Sequence, residues 1–151
     1  MDIIFLDIDG VLRNTKSDIW WSEKLKQPIP TNLFDRRFSL ESVSIINQIT
    51  RLTQAKIVIT STWRTYYNLE DLKKQLYSRG LINVIDATPI LENRGIEIQY
   101  WLDTNKVNNY VVIDDNIKDI IPHLNPSKII KCDPSVGLSQ KEFDKAIDIL
   151  S

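Results

Sequence analysis

Hydrophobic residues along this chain fall into short dense runs separated by longer amphipathic stretches. Four runs, Ile3–Leu6, Lys56–Ile59, Tyr110–Ile113 and Lys128–Lys131, are rich in Ile or Val. Their unbroken apolar character predicts strands covered on both faces, as in a parallel sheet. Asn83–Ile85 is a shorter fifth candidate. Between the runs, apolar positions return at helical spacing. Ser39–Thr53 carries Val43, Ile45, Ile46, Ile49 and Leu52, with Ser39 as its cap. Asn68–Arg79 starts on a capping Asn68 and stops at Gly80. Ile96–Leu102 and Ile117–Leu124 predict two shorter helices, and Lys141–Leu150 follows the capping-box pattern Ser139-x-x-Glu142. Strands alternating with helices predict an α/β fold with a mostly parallel central sheet. Residues 13–38 break the alternation. They hold two prolines, mixed charge and the pair Trp20-Trp21, and they predict a long loop forming a small flap-like insert.

The bulk numbers narrow the picture. A chain of 151 residues is expected to form one domain, residues 1–151. A net charge of −1 gives no overall attraction to nucleic acid or to a membrane surface. The single cysteine, Cys132, cannot form an internal disulfide and supplies no zinc-ligand spacing, which suits a reducing compartment. The N-terminal stretch is too short and too acidic for a signal peptide, and no apolar run reaches membrane-spanning length. A cytoplasmic protein without a membrane partner is the expectation.

Ligands of open parallel sheets bind beyond the carboxyl ends of the strands. The residues just past each apolar run are therefore informative. After the first run come Asp7-Ile8-Asp9-Gly10, after the second Thr60-Ser61-Thr62-Trp63-Arg64, after the third Asp114-Asp115-Asn116, and after the last Cys132-Asp133. Carboxylates and hydroxyls thus converge on one edge. Like charges so close need compensation, and a hard cation shared through oxygen by Asp7 and one of Asp114 or Asp115 supplies it. Magnesium fits, because it keeps waters and works together with substrate phosphates. An aspartate could then attack phosphorus and form an aspartyl-phosphate. The second aspartate, two residues on, shares its face of an extended chain and could serve as general acid and base. Ser61, with Thr62 beside it, offers a hydroxyl and backbone N–H groups to the phosphoryl oxygens. Arg94, just before a helix, could balance charge in the transition state. Trp63 and Arg64, next to the phosphate site, could contact substrate, the indole by stacking on a base.

Each motif also has a structural reading. Asp-Gly is a common turn pair, Asp114-Asp115-Asn116 is a good helix cap, and Thr60-Ser61-Thr62 can close a strand. Trp20, Trp21, Arg36 and Arg37 fit a substrate entrance or a packed flap equally well. His123 reads as a surface or structural residue, and Cys132 as a small strand-end residue rather than a nucleophile.

The order FLDIDGVL, VITSTWR, NRGIEIQYWL, VVIDDN resembles the haloacid dehalogenase (HAD) superfamily of phosphohydrolases. In finer detail, Ser61-Thr62-Trp63-Arg64 and Gly137-Leu138-Ser139 make it similar to the phosphatase-like domains associated with Swiss army knife RNA repair proteins. The resemblance implies a Rossmann-like three-layer sandwich with a minimal cap domain or none. It implies Asp7 as nucleophile, Asp9 as general acid/base, and Ser61 as the phosphate-binding hydroxyl. Arg94 stands where most members carry lysine. Asp114 and Asp115 match the acidic pair that binds magnesium together with Asp7 and Asp9. The implied function is a magnesium-dependent phosphatase acting on a phosphomonoester, the substrate being a phosphorylated small molecule or a nucleotide or nucleic-acid end. A phospho-receiver would place its acidic pair after the first strand, whereas here the pair comes late. An inert binding domain on the same fold would not need the full acidic set.

Overall fold

The computed structural model describes residues 1–151. Five parallel strands form one sheet in the order β3-β2-β1-β4-β5. They are β1 (Asp2–Leu6), β2 (Lys56–Ile59), β3 (Val84–Ala87), β4 (Asn109–Asp114) and β5 (Ile129–Lys131). Five helices flank them: α1 (Thr15–Leu25), α2 (Leu40–Thr53), α3 (Leu69–Ser78), α4 (Arg94–Thr104) and α5 (Gln140–Leu150). No helix is long and apolar enough to cross a membrane.

The strand alternation separates two cores. Ile4, Leu6, Ile57, Ile59, Val111 and Ile113 point to one face. There they meet Val43, Ile46 and Ile49 of α2, Leu72 and Leu76 of α3, and Ala146 and Leu150 of α5. Ile3, Phe5, Val58 and Val112 point to the other face and meet Ile98 and Trp101 of α4 with Ile120 and Leu124. Apolar side chains on both faces explain why these strands read as continuous hydrophobic runs rather than alternating ones. The result is a Rossmann-like three-layer α/β fold with no cap domain. Winding outward from β1, the connections reverse direction between β1 and β4, so the crevice for a ligand opens at that seam.

The caps expected from sequence form. Ser39 accepts from the Ser42 N–H at 3.1 Å, and Asn68 accepts from that of Asp71 at 2.9 Å. The Glu142 carboxylate accepts from the Ser139 N–H at 2.9 Å. Two expectations fail. The 13–38 segment is not a plain loop, because it contains α1. Asn14 caps that helix by accepting from the Ser17 N–H at 2.8 Å, and the Ser17 hydroxyl accepts in return from the Asn14 N–H at 2.9 Å. Residues 117–124 form successive turns instead of a helix. Pro122 has no N–H to continue one. The turns close against α4 at Gly95, where a Cβ would stand 2.3 Å from the Asp119 carbonyl oxygen.

Candidate active site

Ladder hydrogen bonds run one residue past three strands. The Asp7 N–H donates to the Ile113 carbonyl at 3.1 Å, that of Thr60 to Leu6 at 3.0 Å, and that of Cys132 to Asp114 at 2.9 Å. These bonds lock Asp7 beside Asp114 at the β1–β4 seam, with Thr60 and Ser61 on the neighbouring strand end. Asp115 comes next, on the rim. Gly10 lies directly beneath it, at φ +86°, with the place of a Cβ only 2.4 Å from Asp115 Oδ2. The Asp-Gly pair therefore serves the site: any side chain at residue 10 would displace Asp115, and that backbone conformation disfavours one in any case.

One carboxylate oxygen from each of Asp7, Asp114 and Asp115 lies within 4.8 Å of the other two. Asp7 and Asp114 are buried. Burial pushes the Asp7 carboxyl well above the ordinary carboxylate range, and the neighbouring Asp114 adds to that while Arg94 opposes it. Burial likewise raises Asp114, again against Arg94. Arg94 Nη1 sits 2.7 Å from Asp114 Oδ2 and 3.5 Å from Asp7 Oδ1. Desolvation weakens the guanidinium's hold on its proton, but Asp7 and Asp114 together more than restore it. Arg94 thus already offsets part of the repulsion at this edge. It reaches the pair from the first residue of α4, whose cap Asn93 accepts from the Ile96 N–H at 3.0 Å.

Asp9 stands apart from this trio. The chain has left the strand and turned, with the Gly10 N–H donating to the Arg13 carbonyl at 2.7 Å. Asp9 Oδ1 is held by Arg13 Nε at 2.8 Å and Oδ2 by Trp63 Nε1 at 3.1 Å. Its carboxylate remains partly exposed, at 26%. Asp9, expected as a fourth carboxylate of the metal site, is not among the three gathered at the seam.

Ser61 is buried, and its hydroxyl oxygen accepts from the Trp63 N–H at 3.2 Å, which caps the short 3-10 turn Thr62–Thr65. Its own proton takes no acceptor within the protein, so it is free for a ligand. Thr62 is exposed on the same turn. The expected substrate contacts of Trp63 and Arg64 are not available. Trp63 is 0% exposed and packs edge-on against Phe34 and Phe38. It cannot stack on a base, and its role is to hold Asp9. Arg64 donates to the carbonyls of Thr60 at 2.6 Å and Thr88 at 3.0 Å, and pairs with buried Glu97 at 2.8 Å. It fixes the β2 end to β3 and α4. Sequence reasoning missed Arg13, Glu97 and the Asp9 role of Trp63. For Arg13 a signal existed, a cation four residues after an aspartate in a tight turn. For the others none did, because their partners are distant in sequence. Cys132 is buried and burial pushes its thiol up, as expected for a structural residue.

A family model described as "HAD domain in Swiss Army Knife RNA repair proteins" matches residues 3–143. No curated protein and no solved structure matches the chain.

Proposed function

The chain belongs to the family of HAD domains in Swiss Army Knife RNA repair proteins, and on that premise we propose that it is a magnesium-dependent phosphatase. It cleaves a phosphomonoester through an aspartyl-phosphate on Asp7. The observation that carries this reading is the trio Asp7, Asp114 and Asp115, gathered within 4.8 Å at the crevice of the sheet. Three carboxylates carry more negative charge than Arg94 alone balances, and hard oxygen donors suit magnesium. When bound there, the ion would offset the charge that repels an anionic substrate and polarise its phosphoryl oxygens.

The chain's own groups divide the remaining work. An Asp7 oxygen attacks phosphorus, and the bond from phosphorus to the leaving oxygen breaks. Asp9 gives its proton to that leaving oxygen. In the second half, Asp9 takes a proton from a water whose oxygen attacks the same phosphorus. The bond to Asp7 breaks and inorganic phosphate is freed. The Ser61 proton and the Arg94 guanidinium bind the phosphoryl oxygens as charge builds on them.

The family description favours a nucleotide or nucleic-acid end as the carrier of the phosphate. With no cap domain over the crevice, a bulky substrate has access. The test is phosphate release from sugar phosphates, nucleotides and 3′-phosphorylated oligonucleotides, in magnesium and in EDTA. Release should need magnesium and vanish in Asp7→Asn, which keeps the shape of the side chain and should melt normally. Release without a metal, or wild-type turnover in Asp7→Asn, refutes the mechanism. No release from any member of the panel favours an inert or receiver-like domain.

A further inference from the structure

The two groups assigned to the phosphoryl oxygens stand on different elements. Ser61 caps the 3-10 turn after β2, and Arg94 is the first residue of α4. The sheet ladder holds the end of β2, but α4 is reached only through the loop 88–93 that follows β3. A buried ion pair spans this gap. Arg64 lies three residues after Ser61 in the same turn, and Glu97 lies three residues after Arg94, one turn along the same face of α4. Arg64 Nη2 and Glu97 Oε1 are 2.8 Å apart, with side chains 6% and 7% exposed.

Both partners make further bonds to the same elements. Arg64 Nη1 donates to the carbonyls of Thr60 and Ser61 at 2.6 and 2.9 Å, and Nε donates to that of Thr88 at 3.0 Å. Glu97 Oε2 accepts from the Leu91 N–H at 2.8 Å. One guanidinium–carboxylate unit thus grips Ser61, the residue before it, and two points of the loop that delivers Arg94. The Glu97 charge also acts on both cations, favouring the protonated form of Arg64 and of Arg94.

A unit of this kind suits alignment better than cohesion. Well-packed apolar side chains often hold two elements together as strongly as a buried ion pair does. They do not fix direction. A guanidinium presents its donors in a rigid plane, so the groups that meet it are held at set positions. Position is what phosphoryl ligands need, since a displacement of about 1 Å can lower a rate by about 10²-fold.

We propose that Arg64 and Glu97 are positioning residues for phosphate binding. The pair holds Ser61 and Arg94 in the register that lets both bind one phosphoryl group. This rests on the phosphatase reading, which assigns those two ligands.

The experiment uses two variants of the full chain that preserve charge. Arg64→Lys keeps a cation beside Glu97 but loses the fork. Glu97→Asp keeps the anion but withdraws it by one methylene. Neither strands a buried charge, so both should melt cooperatively, and magnesium should stabilise them as it does wild type, because the acidic trio is untouched. Affinity for inorganic phosphate, measured by titration calorimetry in magnesium, should fall by about 5- to 150-fold, the usual size of coupling between two sites. The kcat/KM should fall by about 10²-fold. The factor should be the same for an alkyl phosphate and for p-nitrophenyl phosphate, because the phosphoryl oxygens are held alike whatever group leaves. Variants that melt lower but bind phosphate as wild type does would reduce the pair to a brace and overturn the proposal. So would a loss confined to the alkyl substrate. Phosphate binding that weakens in both variants of a chain without turnover sinks the phosphatase reading and leaves the positioning role standing. Wild-type turnover with phosphate affinity unmoved by either variant does the reverse. A wild type that binds no phosphate refutes both.

Discussion

Replacing Arg94 by Met should destabilise the metal-free protein in a way that grows with pH. The guanidinium lies 2.7 Å from Asp114 and 3.5 Å from Asp7, whose side chains are 0% and 7% exposed. Met keeps the aliphatic stem and the helix propensity and deletes the charge. Breaking a buried pair by removing one partner costs about 3–5 kcal/mol, a large share of the roughly 5–15 kcal/mol that holds a domain folded. The stranded carboxylates have one relief, which is to bind a proton. Asp7 is already raised by burial and by Asp114. A carboxyl raised on folding contributes stability below its unfolded value, about 3.9, and loses it as pH climbs through the folded value. Without Arg94 the folded values of Asp7 and Asp114 move higher still. The difference between wild type and variant is therefore small in acid, where these carboxyls hold their protons in both proteins, and grows through the range in which they ionise. Urea unfolding of both proteins in EDTA across that range measures it, and the comparison cancels titrations common to the two. A penalty that is constant with pH, or under about 1 kcal/mol at the alkaline end, would show that Arg94 does not compensate these charges.

Asp9→Asn should lower kcat/KM, which reports the first phosphoryl transfer, by about 10²–10⁴-fold for an alkyl phosphate and far less for p-nitrophenyl phosphate, because p-nitrophenolate leaves without a proton; equal losses in kcat/KM would remove Asp9 from the acid role. Trp63→Phe deletes the indole donor to Asp9 and retains most of the buried ring, so it should give the same leaving-group pattern at about 10- to 100-fold, in line with a hydrogen bond to a charged group; an unchanged ratio of the two substrates would refute it. Magnesium at a hundredfold excess over its Kd should add about 2.7 kcal/mol to wild-type stability, a melting shift of about 5–10 °C. Asp115→Asn, which leaves the Arg94–Asp114 pair intact, should lose most of that shift; a full shift in the variant would place the metal elsewhere.

Much of this architecture was legible because its strands are buried on both sides and its helices carry standard caps. The run Lys56–Ile59 matches β2 at both ends, and Ser39, Asn68, Gly80 and Ser139 mark helix boundaries as expected. Helix α1 was not legible. Its only buried residues are Ser17 and Asp18, so no apolar stripe repeats at helical spacing, and an Asn-x-x-Ser cap lacks the Glu or Gln of the usual box. The acidic edge was legible because strand ends determine where the next side chains stand. The residues after β2 were not. A short 3-10 turn can present Trp63 inward or outward, and only Phe34 and Phe38, arriving from a distant segment, decide that it goes in.

The same segment controls the proposed acid. Arg13 shares its guanidinium between Asp9 and Asp18, and Asp18 also accepts from Arg36 at 3.0 Å. Trp63, the other group holding Asp9, is enclosed by Phe34 and Phe38. Both grips on Asp9 therefore depend on residues 13–38. Asp7, Asp114 and Ser61, by contrast, stand on the ends of central strands and depend on the sheet. The two halves of the chemistry thus have different supports. The proposed nucleophile and metal ligands stand at central strand ends, where ladder hydrogen bonds fix the backbone. The proposed proton-transfer group hangs instead from a peripheral segment, so a substitution within residues 13–38 that loosens Arg13 or Trp63 should slow proton transfer and leave the acidic trio in place.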